Sequence, residues 1–383
     1  MDNLTHSLIG LTAAKAGLEK LSPGATTLCV LAANSPDADI VALIFGGRWA
    51  YLQQHRGISH SIVGTLVLAL ALPLIFYLGD VLLAQARNRK RRIKLPGLLV
   101  ASAIATASHP LMDWTNNYGV RFLLPWNPKW FYGDFVFVID PFMWIVLGSA
   151  AFLLTATTKK QLIVWVIIAL VPSFLVIVGP SGPRLLANEI VLRLLWIGAL
   201  IVVVKLHRRR IGGRAGAKIA VAALATVAIY CAALAATHVV ALRRAKLQAT
   251  YIANQNAEGV IRVAAMPTIA NPTEWSCVME TEQATYRFKI VLPHFQPDDF
   301  TVLRYEKPKG LAAEALAQTA RDSRSQVFLG FARFPVARVA GEDCATQTLV
   351  QFADLRYTEP GKGRGTFSLD VPVDCPALDK LIK

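Results

Sequence analysis

The stretch SIVGTLVLALALPLIFYLGDVLL, Ser61 to Leu83, runs almost directly into Arg87-Asn88-Arg89-Lys90-Arg91-Arg92-Ile93-Lys94. An apolar run of this length with a single acid is enough helix to cross a hydrocarbon core, which takes about 20 residues. The cations behind it hold that end in the cytoplasm. Five more runs read the same way: Pro96 to Asp113, Ile139 to Thr157, Gln161 to Gly179, Asn188 to Leu206 and Ala217 to Leu242. The chain of 383 residues is 54% hydrophobic and 17% charged, a balance that calls for a bilayer rather than one soluble core.

The net charge of +15 is unevenly spread. Residues 1–250 hold 25 Lys/Arg against nine Asp/Glu, and residues 251–383 hold 15 against 16. The excess sits in short loops, Arg87 to Lys94 and Lys205 to Arg210, with Lys159-Lys160 as a third. That is positive-inside patterning and argues against direct nucleic-acid binding. With these loops inside, Trp114 to Val138, Pro180 to Ala187 and everything after about Tyr251 lie outside. The first 20 residues lack the basic start and apolar core of a cleavable signal. The expected home is a bacterial inner membrane, with the tail periplasmic.

Residues 251–383 change character. Gly259 to Met266, Trp275 to Thr281, Thr285 to Leu292, Asp299 to Tyr305, Gln326 to Phe334, Thr348 to Phe352 and Thr366 to Val373 are short β-branched or aromatic runs broken by turn formers. One helix is expected from Gly310 to Asp322. The fold class is therefore mainly α: a polytopic helical membrane domain over 1–250, then an extramembrane β-rich α+β domain over 251–383. Among Cys277, Cys344 and Cys375, one disulfide could form in an oxidising compartment. Cys29 and Cys231 read as small core residues. Trp114, Trp126, Trp130 and Trp144 read as interfacial anchors.

The start of the chain holds two shorter helical runs, Leu4 to Glu19 and Ala25 to Asn34, around the turn Ser22-Pro23-Gly24. Both are short for full spans. A hairpin entering from outside would bring His6 to Asp37 at the outer surface.

Four of the seven histidines fall within the first 109 residues. His6 follows Met1-Asp2-Asn3-Leu4-Thr5. In Asn34-Ser35-Pro36-Asp37-Ala38-Asp39, an extended chain would put both carboxylates on one side. In His55-Arg56-Gly57-Ile58-Ser59-His60-Ser61, a turn at Gly57 would let His55 and His60 converge. In Ser108-His109-Pro110-Leu111-Met112-Asp113, His109 and Asp113 are one helical turn apart and share a face. Carboxylates in apolar surroundings need a counter-charge, and a divalent metal supplies one. Imidazole with carboxylate and no thiolate suits zinc, with manganese or iron(II) as alternatives. His6, Asp37, Asp39, His55, His60, His109 and Asp113 are more ligands than one ion with an open position uses, so two ions are expected. A two-metal site clamps both oxygens of an in-line displacement, which points to phosphoester hydrolysis. Arg56 and Arg121 would neutralise phosphate oxygens with their planar forks. Asn116 and Asn117 bind substrate or cap a helix end.

Each residue also has an ordinary reading when taken singly. His6 can be a first-turn residue, Asp2, Asp37 or Asp39 a helix cap, His55 and His60 headgroup-level side chains, and His109 with Asp113 an intrahelical pair. Their joint direction toward one membrane face favours metal. His207 belongs to a basic loop, and His238 and His294 have no acidic neighbour at useful spacing.

These four ordered motifs, Met1 to His6, Pro36 to Asp39, His55 to Ser61 and Ser108 to Asp113, resemble those of the bacterial inner-membrane-associated metal-dependent hydrolases, a YdjM-like family also labelled LexA-binding. The resemblance covers roughly residues 1–180. It implies a hydrolase with His6, Asp37, His55, His60, His109 and Asp113 in the metal site, and it names no substrate. The His-x-x-x-Asp element is more distantly similar to that of zinc-dependent phospholipases C. The leading expectation is a membrane-bound hydrolase acting at the outer face on a phosphoester, a phospholipid among the options, with membrane lipids around it. A second reading is a regulatory or scaffold membrane protein that binds a protein partner and uses metal structurally. A third is a transporter using intramembrane carboxylates. It is weakened because the later helices carry almost no acids.

Overall fold

In the computed structural model, which describes residues 1–179, 187–293, 302–340, 347–362, 365 and 367–374, the apolar runs are helices. The loop expected at Pro180 to Ala187, His294, Cys344, Cys375 and the beginnings of the strands expected at Asp299 and Thr366 lie at or within stretches outside those residues. The first two runs are α1 (Asn3–Ala16) and α2 (Ala25–Asn34). Asp2 caps α1, its carboxylate accepting from the Thr5 backbone N–H at 2.9 Å and the Thr5 hydroxyl at 2.7 Å. A 3-10 turn, Ser35–Ile40, then leads to α3 (Val41–Gln54).

After a second 3-10 turn at Ile58–His60 come α4 (Ile62–Ala86) and α5 (Leu95–Trp114). Ser61 caps α4 by accepting from the Gly64 N–H. The lone acid of α4, Asp80, is answered by Arg89 at 2.7 Å and by the Arg92 and Ile93 backbone N–H groups, so the basic loop folds back on its own helix. Next are α6 (Pro141–Thr155), α7 (Lys159–Val178), α8 (Ala187–Arg208), the short α9 (Ile211–Ala215) and the 39-residue α10 (Ala217–Gln255).

Among the described residues, six helical stretches are long and apolar enough to cross a membrane: Ala25–Gln54, Ile62–Ala86, Leu95–Trp114, Lys159–Val178, Glu189–Arg208 and Ala217–Gln255. The set differs from expectation in two places. The run at Ile139 to Thr157 condenses to the 15 residues of α6, about 22 Å of helix against a core of about 30 Å. The cause is Asp140, which caps α6 through the Phe142 and Met143 N–H groups, with Pro141 in the first turn. Ala25–Gln54 qualifies by length and composition, yet the 3-10 turn and a non-helical Gly47 interrupt it.

The chain divides into two compact units. One holds residues 1–38, 56–235 and 269–271, and the other holds 39–55, 236–268 and 272–383. In the first unit α1, α2 and α5 meet through small residues, Ala14, Ala25, Cys29, Ala32, Ala33, Ala101 and Ala105, around Leu28 and Leu98. Small side chains let backbones approach, the usual basis of helix association in lipid. At Gly10 of α1 a Cβ would stand 2.5 Å from the Cys29 carbonyl oxygen and 2.8 Å from the Ala33 Cβ. Gly10→Ala is therefore expected to cost about 1–3 kcal/mol. Gly198→Ala in α8, which meets nothing within 4 Å, should be neutral or slightly stabilising. Thermal unfolding of the detergent-solubilised chain compares the two, and equal melting temperatures would refute the close packing of α1 on α2.

In the second unit the C-terminal half of α10 turns Ala241, Ala245, Ala249 and Ile252 onto a four-stranded sheet, where Trp275, Cys277, Tyr286 and Phe288 are buried. The sheet order is β1 (Val260–Thr268), β2 (Asn271–Thr281), β3 (Ala284–Val291) and β4 (Leu303–Glu306). Register is set by antiparallel pairs such as Cys277 with Phe288 and Tyr286 with Arg304. The last membrane helix thus continues past Leu242 and becomes part of the core of the second unit. Helices α11 (Leu311–Gln318) and α12 (Ser323–Phe331) precede a second sheet of β5 (Pro335–Ala340), β6 (Gln347–Asp354) and β7 (Ser368–Asp374). In α3, Trp49 packs on the cluster formed by Phe328, Val350 and Phe352.

The strand expected at Gln326 to Phe334 is helix α12. Asp322 caps it through the Arg324 and Ser325 N–H groups, and Phe328 and Phe331, three apart, face the core with helical rather than alternating period. Burial opposes the charge on Glu258, but hydrogen bonds from Thr281, Arg304 and Tyr286 hold its carboxyl below the ordinary range. Cys277 is a free thiol, fully buried in this core, and so is not part of a disulfide among the described residues. Trp144 is buried too, its indole N–H donating to Asp2 at 3.0 Å and Thr5 at 3.1 Å, so it is a core residue and not an interfacial anchor. Trp126 is 78% exposed.

Candidate metal centre

The first unit draws residues far apart in sequence into one buried cluster. Asp37 comes from the 3-10 turn after α2, His60 from the turn before α4, and His109 and Asp113 from successive turns of α5. Their ligand atoms all lie within 4.8 Å of one another. His109 Nε2 is 3.1 Å from His60 Nε2, 3.4 Å from Asp37 Oδ1 and 3.5 Å from Asp113 Oδ2. His60 Nε2 is 3.3 Å from Asp37 Oδ1 and 3.3 Å from Asp113 Oδ2. A tetrahedron with metal–ligand bonds of roughly 2.0–2.1 Å has edges of about 3.3–3.4 Å. Five of the six edges fall at or near that length.

The protonation pattern agrees with a ligand set. His109 Nδ1 stands 2.6 Å from the Ala33 carbonyl oxygen. A carbonyl only accepts, so Nδ1 carries the proton and the Nε2 lone pair points into the cluster. His60 Nδ1 is engaged by the Ser59 hydroxyl at 3.0 Å, which likewise turns Nε2 inward. The His6 ring, brought in by α1, stacks on His109 with centroids 3.6 Å apart, and its Nε2 is 3.4 Å from Asp113 Oδ1. His6 is 1% exposed, and neither of its ring nitrogens has a hydrogen-bond partner. Burial without partners is costly for an imidazole, and an ion at the cluster would relieve it. The donor set, burial and spacing therefore fit a divalent cation.

Arg56 lies against the cluster, 3% exposed. Its Nε is 3.1 Å from Asp113 Oδ2, while Nη1 donates to the Asn116 side-chain oxygen at 2.9 Å and to the Asp113 carbonyl at 3.3 Å. The Tyr118 ring stacks on the guanidinium at 4.6 Å. The Met1 amino group also pairs with Asp113. Arg56 has φ 53°, a left-handed conformation that costs a non-glycine residue of order 1 kcal/mol or more. The reversal expected at Gly57 is thus made by Arg56 itself, since Gly57 has φ −92°.

Pro36 starts a 3-10 turn where an extended chain was expected, and that turn carries both Asp37 and Asp39. In the second unit Asp39 pairs with His55 at 3.0 Å. Arg121 is half-buried, its guanidinium 4.6 Å over the Trp130 ring and its backbone N–H on the Arg56 carbonyl at 3.3 Å. Sequence reasoning left open the role of Asn116, which orients Arg56, and missed Tyr118 and the Ala33 carbonyl. The closeness of Asn116 and Tyr118 to the His109–Asp113 turn was the available signal; a backbone carbonyl gives none.

Residues 1–182 match the family described as YdjM inner membrane protein. Two proteins show weaker likeness. The uncharacterized protein YfhP of Bacillus subtilis (strain 168) is 29% identical over 159 residues, 38% of this chain and 43% of YfhP. The inner membrane protein YbcI of Escherichia coli (strain K12) is 27% identical over 143 residues, 36% of this chain and 76% of YbcI. The match thus spans less than half the length of YfhP. No solved structure matches the chain. All the cluster residues fall inside the matched region, and with six helices among the described residues able to span a membrane this is a multi-pass inner membrane protein whose residues 1–182 match the YdjM inner membrane protein family.

Proposed function

We propose that the first unit is a metal-dependent hydrolase that cleaves a phosphoester at the outer face of the inner membrane. The observation that carries this reading is the spacing of 3.1–3.5 Å among the ligand atoms of Asp37, His60, His109 and Asp113. Those four would hold one divalent ion, zinc by the nitrogen and oxygen donor set, with His6 beside them. Bound there, such an ion supplies Lewis acidity toward a phosphoryl oxygen. Ala33 and Ser59 fix the imidazole orientations. Arg56 is a positioning residue, holding Asp113 through a planar fork that Asn116 and Tyr118 keep in place. Arg121 is the residue to which we assign phosphate contact. The basic loops Arg87 to Lys94 and Lys205 to Arg210 favour a periplasmic second unit.

A second reading is favoured by one feature. Four protein ligands fill a tetrahedral shell, which is the pattern of structural zinc, while catalytic zinc keeps a position open. In that case the membrane unit would serve as a regulatory scaffold for a protein partner. Metal analysis of the purified chain beside His60→Ala, together with turnover on a panel of soluble and lipid phosphoesters with added zinc or manganese, separates the two. Bound metal with turnover, both lost in His60→Ala, is the expected result. Metal without turnover on any phosphoester would transfer the site to the scaffold reading, and no metal would end both. The same analysis counts the ions, one or two per chain. Protease added to spheroplasts should cut the second unit, and full protection would reverse the topology.

A further inference from the structure

The first unit contains an apolar cavity of about 340 Å³ among α1, α6, α7 and α8, lined among others by Leu4, Leu8, Trp144, Gly148, Trp165 and Trp196. This is within the range of ligand pockets, about 300–1,000 Å³. Among the described residues, no charged side chain lines it. The three indole N–H groups are all engaged: Trp144 on Asp2 and Thr5, Trp165 on the Thr155 hydroxyl at 2.7 Å, and Trp196 on the Ser173 hydroxyl at 3.1 Å. The walls thus present ring faces and methyl groups with almost nothing to hold a polar ligand. In the span region the abundant apolar solute is a lipid chain.

The position of the cavity ties it to the metal centre. Leu4 and Leu8 of α1 line the cavity, while His6, between them on the same helix, stacks on His109 in the cluster. Trp144 is a wall of the cavity and also holds Asp2, whose neighbour Met1 pairs through its amino group with Asp113. The first two turns of α1 therefore separate a place that accepts only hydrocarbon from a place that offers cation-binding groups. An amphipathic molecule with a phosphoester next to an acyl chain matches that pairing. We propose that the cavity seats one acyl chain of a membrane phospholipid, whose phosphoester is presented to the Asp37, His60, His109 and Asp113 cluster. The headgroup half of this rests on the hydrolase reading; the chain seat does not.

The test uses the full chain in nanodiscs of phosphatidylethanolamine and phosphatidylglycerol, doped with phosphatidylethanolamine carrying a photoactivatable diazirine in its acyl chain. Crosslinks are expected on the cavity faces of α1, α6 and α8. Gly148→Leu fills the cavity from one wall, where a Cβ meets only Leu8 Cδ1 at 3.9 Å, and Ala169→Leu fills it from another. Each should cut cavity labelling at least about fivefold and lower the preference for lipid over bis(4-nitrophenyl) phosphate by about tenfold. Labelling confined to the exposed faces of α4, or equal in both variants and the parent chain, overturns the proposal. Intact cavity labelling with no hydrolysis of either substrate overturns the hydrolase reading alone. Cleavage of the soluble diester without cavity labelling overturns the chain seat alone.

Discussion

Asp113→Asn is expected to lower metal affinity by more than about 100-fold and to destabilise the first unit by about 3–5 kcal/mol. The two effects have separate causes. Oδ2 of Asp113 faces His60 Nε2 at 3.3 Å and His109 Nε2 at 3.5 Å, so the substitution removes a charged oxygen from the proposed ligand shell. Loss of a residue that merely orients a ligand already costs about 10–100-fold in affinity, so loss of a ligand costs at least the upper end. The same carboxylate neutralises the Arg56 guanidinium at 3.1 Å, and Arg56 is only 3% exposed. Breaking a buried pair from one side leaves an uncompensated charge, which is where the stability loss arises. His109→Ala should lose metal to a similar degree while keeping the pair of Arg56 with Asp113, and so unfold closer to the parent temperature. Metal content by mass spectrometry and thermal unfolding of the same preparations check both. Asp113→Asn with its metal retained would refute the ligand set.

How much of this centre the sequence carried depends on whether contact follows from local geometry. His109 and Asp113 were legible because i and i+4 share a helix face wherever the helix lies. The association of His6 with them depends on α1 packing against α2 and α5, which rests on Gly10 and a row of alanines rather than on any motif. The backbone that carries Asp37 and Asp39 was misread as extended because Pro36 interrupts helices, whereas proline is equally at home in the first turn of a helix and here opens a 3-10 turn. Arg56 lay inside a recognisable motif, yet its fork is turned to Asp113 and Asn116, and only the left-handed backbone at Arg56 itself turns the chain there.

The membrane part was the more legible half of the fold, since long apolar runs and basic loops are summed signals that tolerate local error. The limits showed where capping decides length, as Asp140 and Pro141 do for α6. In the second unit β1, β2, β3, β6 and β7 fell close to their expected runs. The aromatic segment around Phe328 was read as a strand because phenylalanine favours both environments, and the Asp322 cap that decides for helix is one residue among many turn formers.

The pair Asp354 and Arg356, two residues apart in an unremarkable turn after β6, predicts the largest effect outside the metal centre. Both side chains are at 0% exposure. Asp354 Oδ2 accepts from Arg356 Nη2 at 2.7 Å, from Arg356 Nε at 2.9 Å and from the Arg333 backbone N–H at 3.1 Å, while Oδ1 accepts from the Arg356 N–H at 3.1 Å. Arg356 also donates to the Phe331 carbonyl at 3.1 Å and lies 4.7 Å from the Phe331 ring. The pair thus ties the end of α12 to the start of β5 and the end of β6. Arg356→Met keeps the apolar stem and removes the charge, leaving Asp354 buried without its counter-ion. A loss of about 3–5 kcal/mol is expected in the second unit. Adding Asp354→Asn should recover part of it, because the amide oxygen still accepts from one of the Arg333 and Arg356 backbone N–H groups and no unpaired charge is left buried. Urea unfolding of the intact solubilised chain, followed by protease cleavage within residues 311–374, reads the second unit directly. If Arg356→Met unfolds with the parent, or the double variant is worse than the single, the stability of this corner comes from the aromatic packing around Phe331 and Phe328 and not from the ion pair.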